Sequence, residues 1–170
     1  MNKILITGGS SGLGKMIAKS YAKEGGKIIN ISRDVRKMDE LNKDLNKINN
    51  GGNMYFSRDV SKYDEIESVR DQLKVIDMIP DIVINNAAGN FLCPIEKISK
   101  NGWRRIIDIV LNGSFNVTHI IGKEMIKRKS GVFLNISTTY ANTGSALVIP
   151  SAVAKSGVSS ILRLRQYSIT

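Results

Sequence analysis

The chain has one cysteine, three prolines, one tryptophan and one histidine in 170 residues, and each scarcity closes a class of explanation. Cys93 has no partner for an internal disulfide, and with His119 as the single histidine there is no cluster of soft ligands at zinc-site spacing. No metal is expected, and a reducing compartment is. Long apolar runs are missing too. Met1-Asn2-Lys3 leads into only Ile4-Leu5-Ile6 before Thr7-Gly8-Gly9, too short for a signal-peptide core. No run approaches the roughly 20 apolar residues of a membrane span, so a cytoplasmic location and no membrane partner are expected. The chain also lacks repeats, low-complexity tracts and linkers.

What is present suits one globular domain: 42% of residues are hydrophobic and 24% charged. The charge is +10, from 25 basic and 15 acidic side chains. Nucleic acid binding asks for clustered cations that displace counterions from phosphates. Here Arg36-Lys37, Lys43, Lys47, Arg104-Arg105 and Lys127-Arg128-Lys129 are spread along helical stretches and interleaved with Asp and Glu. They read as solvated helix faces, with a fraction serving anionic ligands, and no nucleic acid partner is expected.

Short apolar runs alternate with longer amphipathic ones, the pattern of repeated βαβ units. Strands are predicted at Lys3–Thr7, Lys27–Ser32, Asn53–Ser57, Asp81–Asn85 and Gly131–Ser137. Helices are predicted at Leu13–Glu24, Met38–Asn49, Tyr63–Val75, Gly102–Ile109 and Ser114–Lys129, where apolar residues recur at three and four. Trp103 and Phe115 read as core residues, and His119 as packing or surface. The expected fold is a Rossmann-type doubly wound parallel sheet in the order 3-2-1-4-5.

Directly after the first strand stands Thr7-Gly8-Gly9-Ser10-Ser11-Gly12-Leu13-Gly14, opening into Lys15-Met16-Ile17-Ala18. Glycines permit a tight turn, and the N–H groups that open the helix offer themselves to a pyrophosphate. Gly8, Ser10, Ser11, Gly12, Leu13 and Gly14 are therefore cofactor-binding candidates. An NAD site commonly ends its second strand with a carboxylate for the ribose 2′-hydroxyl. This chain has Ser32-Arg33 there, with Asp34 one residue further into the loop. A guanidinium fork suits a phosphate, so NADP(H) is the expected cofactor.

The Thr7-to-Gly14 loop, Asp59-Val60 after the third strand and Asn85-Asn86-Ala87-Ala88-Gly89 after the fourth together resemble the short-chain dehydrogenase/reductase family, over the chain to about Val158. The resemblance implies that Asp59 and Val60 serve the adenine and that Asn86, Ala87 and Ala88 line the cofactor. One departure stands out. The family's usual tyrosine four residues before the lysine is here Ser151, before Lys155; Val110 and Thr138 occupy the places of the usual asparagine and serine.

Those departures resemble one branch, the 2,4-dienoyl-CoA reductases, through Asn86-Ala87-Ala88-Gly89-Asn90-Phe91, Asp108-Ile109-Val110-Leu111-Asn112-Gly113 and Thr139-Tyr140-Ala141. In that branch the active tyrosine lies upstream, which maps it onto Tyr140, with Asn90 as a second polar group. Lys155 would hold the nicotinamide ribose, and Phe91, Ser99 and Ser151 would meet an acyl-CoA substrate. Reducing a conjugated dienoyl thioester sends negative charge to the thioester oxygen. Two donors, the Tyr140 hydroxyl and the Asn90 amide, can hold that dienolate oxygen, while Thr138 can hold the water that returns a proton. The resemblance further implies a role in fatty-acid breakdown and a homo-oligomer.

From 159 to 170 the sequence departs from the resemblance, and the family's last strands are not in view. The expected domain is therefore residues 1–158, with an atypical tail at 159–170. Two other readings stay open: a non-catalytic nucleotide-binding remnant, and another short-chain reductase acting on enoyl-CoA or 3-ketoacyl substrates.

Overall fold

The first strand, β1 (Lys3–Thr7), carries the uninterrupted apolar run Ile4-Leu5-Ile6, all three fully buried. A continuous run rather than an alternating one belongs to a parallel strand covered on both faces, and the computed structural model of the chain, which describes residues 2–49 and 51–163, shows that arrangement. Strands β1, β2 (Lys27–Ser32), β3 (Met54–Ser57), β4 (Ile82–Asn85) and β5 (Val132–Asn135) form one parallel sheet in the order β3-β2-β1-β4-β5. The order expected from sequence is the order found.

Alternate strand residues serve opposite faces. Ile4, Ile6, Ile28 and Ile84 pack under α1 (Gly12–Lys23) and α2 (Val35–Ile48). Leu5, Ile29, Ile31 and Val83 pack on the other face under α3 (Tyr63–Val75) and the long helix that follows β4. Burying four isoleucine or leucine side chains on one face contributes roughly 6–12 kcal/mol of hydrophobic stabilisation before the entropy of ordering is subtracted.

Most elements shift by one or two residues at an end from the sequence reading, and two larger differences each have a local reason. Helix α2 begins at Val35 rather than Met38, because Asp34 is its N-cap and accepts the Lys37 N–H at 3.2 Å. The predicted gap between Gly102–Ile109 and Ser114–Lys129 is no gap: α4 (Lys100–Ile107) runs through a wide π-turn at Asp108–Asn112 into α5 (Gly113–Lys127). Gly113 is there for close packing, since a Cβ on it would stand 2.6 Å from Val60 Cγ2.

Beyond β5 come a single turn, α6 (Tyr140–Thr143), and α7 (Ile149–Arg163). Helices α4 and α7 share a third apolar cluster of Ile106, Val110, Ala154 and Val158. Trp103 and Phe115 do not belong to the core as expected: both are exposed, on the outer faces of α4 and α5, and Phe115 stacks on the exposed His119 with ring centroids 5.3 Å apart. Residues 164–170 of the expected atypical tail lie outside the described residues. Among the described residues, no helix is long and apolar enough to cross a membrane.

Candidate functional site

The carboxyl ends of the strands surround a cleft of about 450 Å³. Its floor is the loop between β1 and α1, which is tied to the strands on either side. The Thr7 hydroxyl oxygen accepts the N–H groups of Asn86 (3.0 Å) and Ala87 (2.9 Å) at the end of β4. Asn86 Nδ2 returns two bonds, to the carbonyls of Thr7 (3.0 Å) and Gly8 (3.1 Å). Toward β2, the Gly9 N–H donates to Asn30 Oδ1 at 3.1 Å, and the Ser10 and Ser32 hydroxyls lie 2.9 Å apart. Each tie satisfies a polar group that would be costly to bury unpaired.

Two of the glycines are obligatory here. Gly8 has φ +65°, and a Cβ would sit 3.0 Å from the Ala87 Cα. A Cβ on Gly14 would come within 2.5 Å of the Gly8 carbonyl oxygen and 2.6 Å of Asn86 Nδ2, so helix α1 could not approach the loop. Ser11, the α1 N-cap, makes no side-chain capping bond, which leaves the first-turn N–H groups available to an anion. Gly8, Ser10 and Ser11 line the cleft; Gly12 and Leu13 lie exposed at the head of α1, outside the lining, while Gly14 is buried beneath it. A glycine cradle with open helix N–H groups fits a dinucleotide pyrophosphate.

One wall is cationic. Ser32 ends β2 and Arg33 follows it, and an Arg33 guanidinium nitrogen lies 3.8 Å from Asp59 Oδ2. Partial burial pushes the Asp59 carboxyl upward, but hydrogen bonds from the Ser61 N–H and hydroxyl, with the charges of Arg33 and Lys62, outweigh it and leave the group below its ordinary value. Asp34, placed in the loop by the sequence reading, is a helix cap, and Lys37 Nζ lies 3.5 Å from its carboxylate. Lys37 and Arg58 also line the cleft, as do Ile31 and Ile109, and sequence reading missed all four. The signal for Arg58 was its place beside Asp59 at a strand end; Ile109 is carried in by the π-turn. Val60, Asn86, Ala87 and Ala88 also line the cleft.

The remaining candidates stand beyond this lining. The Tyr140 hydroxyl lies 3.1 Å from Ser151 Oγ. Ser151 is 2% exposed and Lys155, one turn further along α7, 5% exposed. Lys155 Nζ donates to the Ile136 carbonyl, and burial holds its ammonium below the ordinary lysine value. Thr138 is half-buried just before α6, its carbonyl accepting the Ala141 N–H at 3.2 Å. Asn90 is exposed, and its Oδ1 accepts the Phe91 N–H at 2.9 Å, which leaves Nδ2 as its donor. Phe91 packs against the α4–α7 cluster, and Ser99 is the N-cap of α4, accepting the Gly102 N–H at 3.0 Å.

A parallel sheet of this order with a glycine loop feeding a helix at the cleft defines a Rossmann-type nucleotide-binding class. The family model for short chain dehydrogenases matches residues 2–167, and the chain belongs to that family, which uses nicotinamide cofactors. A Bacillus subtilis protein named as a probable 2,4-dienoyl-CoA reductase is 40% identical over 162 residues, 94% of this chain and 63% of that one. The peroxisomal 2,4-dienoyl-CoA reductase of Rattus norvegicus is 34% identical over 159 residues, 93% of this chain and 54% of the relative. The chain thus spans between half and two thirds of the length of these relatives. Among solved structures, a short chain dehydrogenase from Bacillus anthracis is 38% identical with a TM-score of 0.89, covering 98% of this chain and 70% of that one.

Proposed function

We propose that this chain binds NADP(H) and carries the reductive site of an enzyme that converts 2,4-dienoyl-CoA thioesters in fatty-acid breakdown. The observation that carries the reading is the position of Tyr140, whose hydroxyl reaches Ser151, one turn before Lys155. That pairing brings a displaced tyrosine to the helix face where the family ordinarily keeps its own. Likeness to reductases named for dienoyl-CoA supports the same substrate class.

The loop from Gly8 to Gly14 and the head of α1 would hold the pyrophosphate, Arg33 the 2′-phosphate, and Asp59 the adenine side of the cleft. A bound reduced nicotinamide supplies the hydride. The chain's own residues deal with the charge that follows. The Tyr140 hydroxyl and Asn90 Nδ2 donate to the thioester oxygen as it turns into an enolate, and each such donor is worth about 3–4 kcal/mol of barrier. The Lys155 charge strengthens the Tyr140 donor. Thr138 positions the water that returns the proton to carbon. Ser151 and Phe91 meet the acyl portion.

The reading is tested by following NADPH consumption with a panel of thioesters. A rate that requires the 2,4-dienoyl group supports it; a rate with 3-ketoacyl-CoA and none with dienoyl-CoA contradicts it. A second reading, left open by the sequence, is nucleotide binding without turnover. NADPH binding in calorimetry with no consumption on any thioester would select that one.

A further inference from the structure

We infer that Lys37 and Arg58 determine specificity for a phosphate monoester on the adenosine ribose, acting beside Arg33. The inference rests on the NADP(H) reading above and deepens it. Three elements deliver three cations to one wall. Ser32 of β2 is in register with Ser57 of β3, so the residues that follow them, Arg33 and Arg58, emerge side by side, and the Arg58 N–H donates to the Ser32 carbonyl at 3.1 Å. Lys37 stands in the first turn of α2, fixed by the Asp34 cap. All three line the cleft.

Their carboxylate partners, Asp59 and Asp34, leave the wall with one positive charge over. Arg33 lies 3.8 Å and Lys37 3.5 Å from a carboxylate oxygen, neither within normal hydrogen-bonding distance. Arg58 donates a guanidinium N–H to the Ser57 carbonyl at 2.8 Å, and among the described residues it forms no ion pair. The wall therefore sets three cations against Asp34 and Asp59. A ribose hydroxyl needs one acceptor and no cation. A phosphate monoester brings up to two negative charges and three acceptor oxygens, which matches an unneutralised guanidinium and two loosely held cations. The pyrophosphate is served separately, by the N–H groups at the head of α1.

The experiment titrates the chain with 2′,5′-ADP and with 5′-AMP, ligands that differ by the 2′-phosphate and need no catalytic residue, using calorimetry. The native chain should bind 2′,5′-ADP at least about tenfold more tightly. Lys37→Ala and Arg58→Met should each reduce that preference by about tenfold while 5′-AMP affinity shifts less than about twofold, and Lys123→Ala, on exposed α5 surface, should change neither. Circular dichroism checks that each variant is folded. If both variants keep the native preference, or lose 5′-AMP equally, the inference is overturned while Arg33 and the NADP(H) reading stand. If the native chain itself shows no preference, the NADP(H) reading falls and takes this inference with it.

Discussion

Tyr140 and Ser151 meet across the corner between α6 and α7, the phenol oxygen 3.1 Å from the serine oxygen. Ser151 and Lys155 are four residues apart on α7 and share a face. The corner thus gathers a phenol, a hydroxyl and a buried ammonium. Tyr140→Phe should lower kcat on a dienoyl thioester by about 100- to 1,000-fold with little change in KM, as expected of a donor used in the transition state. Ser151→Ala removes the hydroxyl beside Tyr140 and one proposed contact to the acyl portion, and should cost about tenfold or less. Steady-state kinetics on both variants check this, and a Tyr140→Phe protein with full rate would remove the tyrosine from the mechanism.

The stitching of the loop predicts a coupled loss of stability and binding. Asn86→Ala deletes the donor to the Thr7 and Gly8 carbonyls. It should lower the unfolding free energy by about 2 kcal/mol and weaken NADPH binding in parallel. Urea unfolding and calorimetry on the same preparation measure both. Binding lost without stability would mean that Asn86 touches the ligand rather than the loop.

Asp59 makes stability depend on pH. Its folded-state carboxyl lies below its ordinary value, so its contribution is complete above the ordinary carboxylate range and drains away as pH falls through that range toward the lower folded value. Asp59→Asn should be less stable than the native chain at pH near 7, and the gap should narrow at an acid pH below the ordinary carboxylate value of about 3.9. Urea midpoints at the two pH values give the answer; a gap that stays constant would show that Asp59 acts through shape rather than charge.

Strand β5 predicts how the chain behaves in solution. Among the described residues β5 is an edge strand of the sheet, and its Val132 and Leu134 are exposed, at 47% and 46%. Such a strand is a site of association between copies. Leu134→Lys should keep the unfolding midpoint within about 0.5 kcal/mol while reducing light scattering on concentration. Unchanged scattering would place the association elsewhere.

The sheet was legible because its signals are local. Ile4-Leu5-Ile6, the glycine loop and the strand-end positions of Asp59 and Asn86 can each be read within a few residues of chain. Asp34 misled because a residue's role as loop or cap depends on whether the next turn is helical. Gly113 looked like a break because its packing partner, Val60, is remote in sequence. Lys37 and Arg58 could not be placed at one wall before β2 and β3 were known to pair in register at Ser32 and Ser57. Trp103 and Phe115 were read as core from their chemistry alone, although their side chains fall on the outer faces of α4 and α5.

The proposed use of NADPH on a conjugated thioester is tested most directly by the consumption of NADPH by the purified chain with a 2,4-dienoyl-CoA. Consumption should depend on the dienoyl group and be lost in Tyr140→Phe. Consumption with a 3-ketoacyl-CoA alone, or an undiminished rate in Tyr140→Phe, would contradict it.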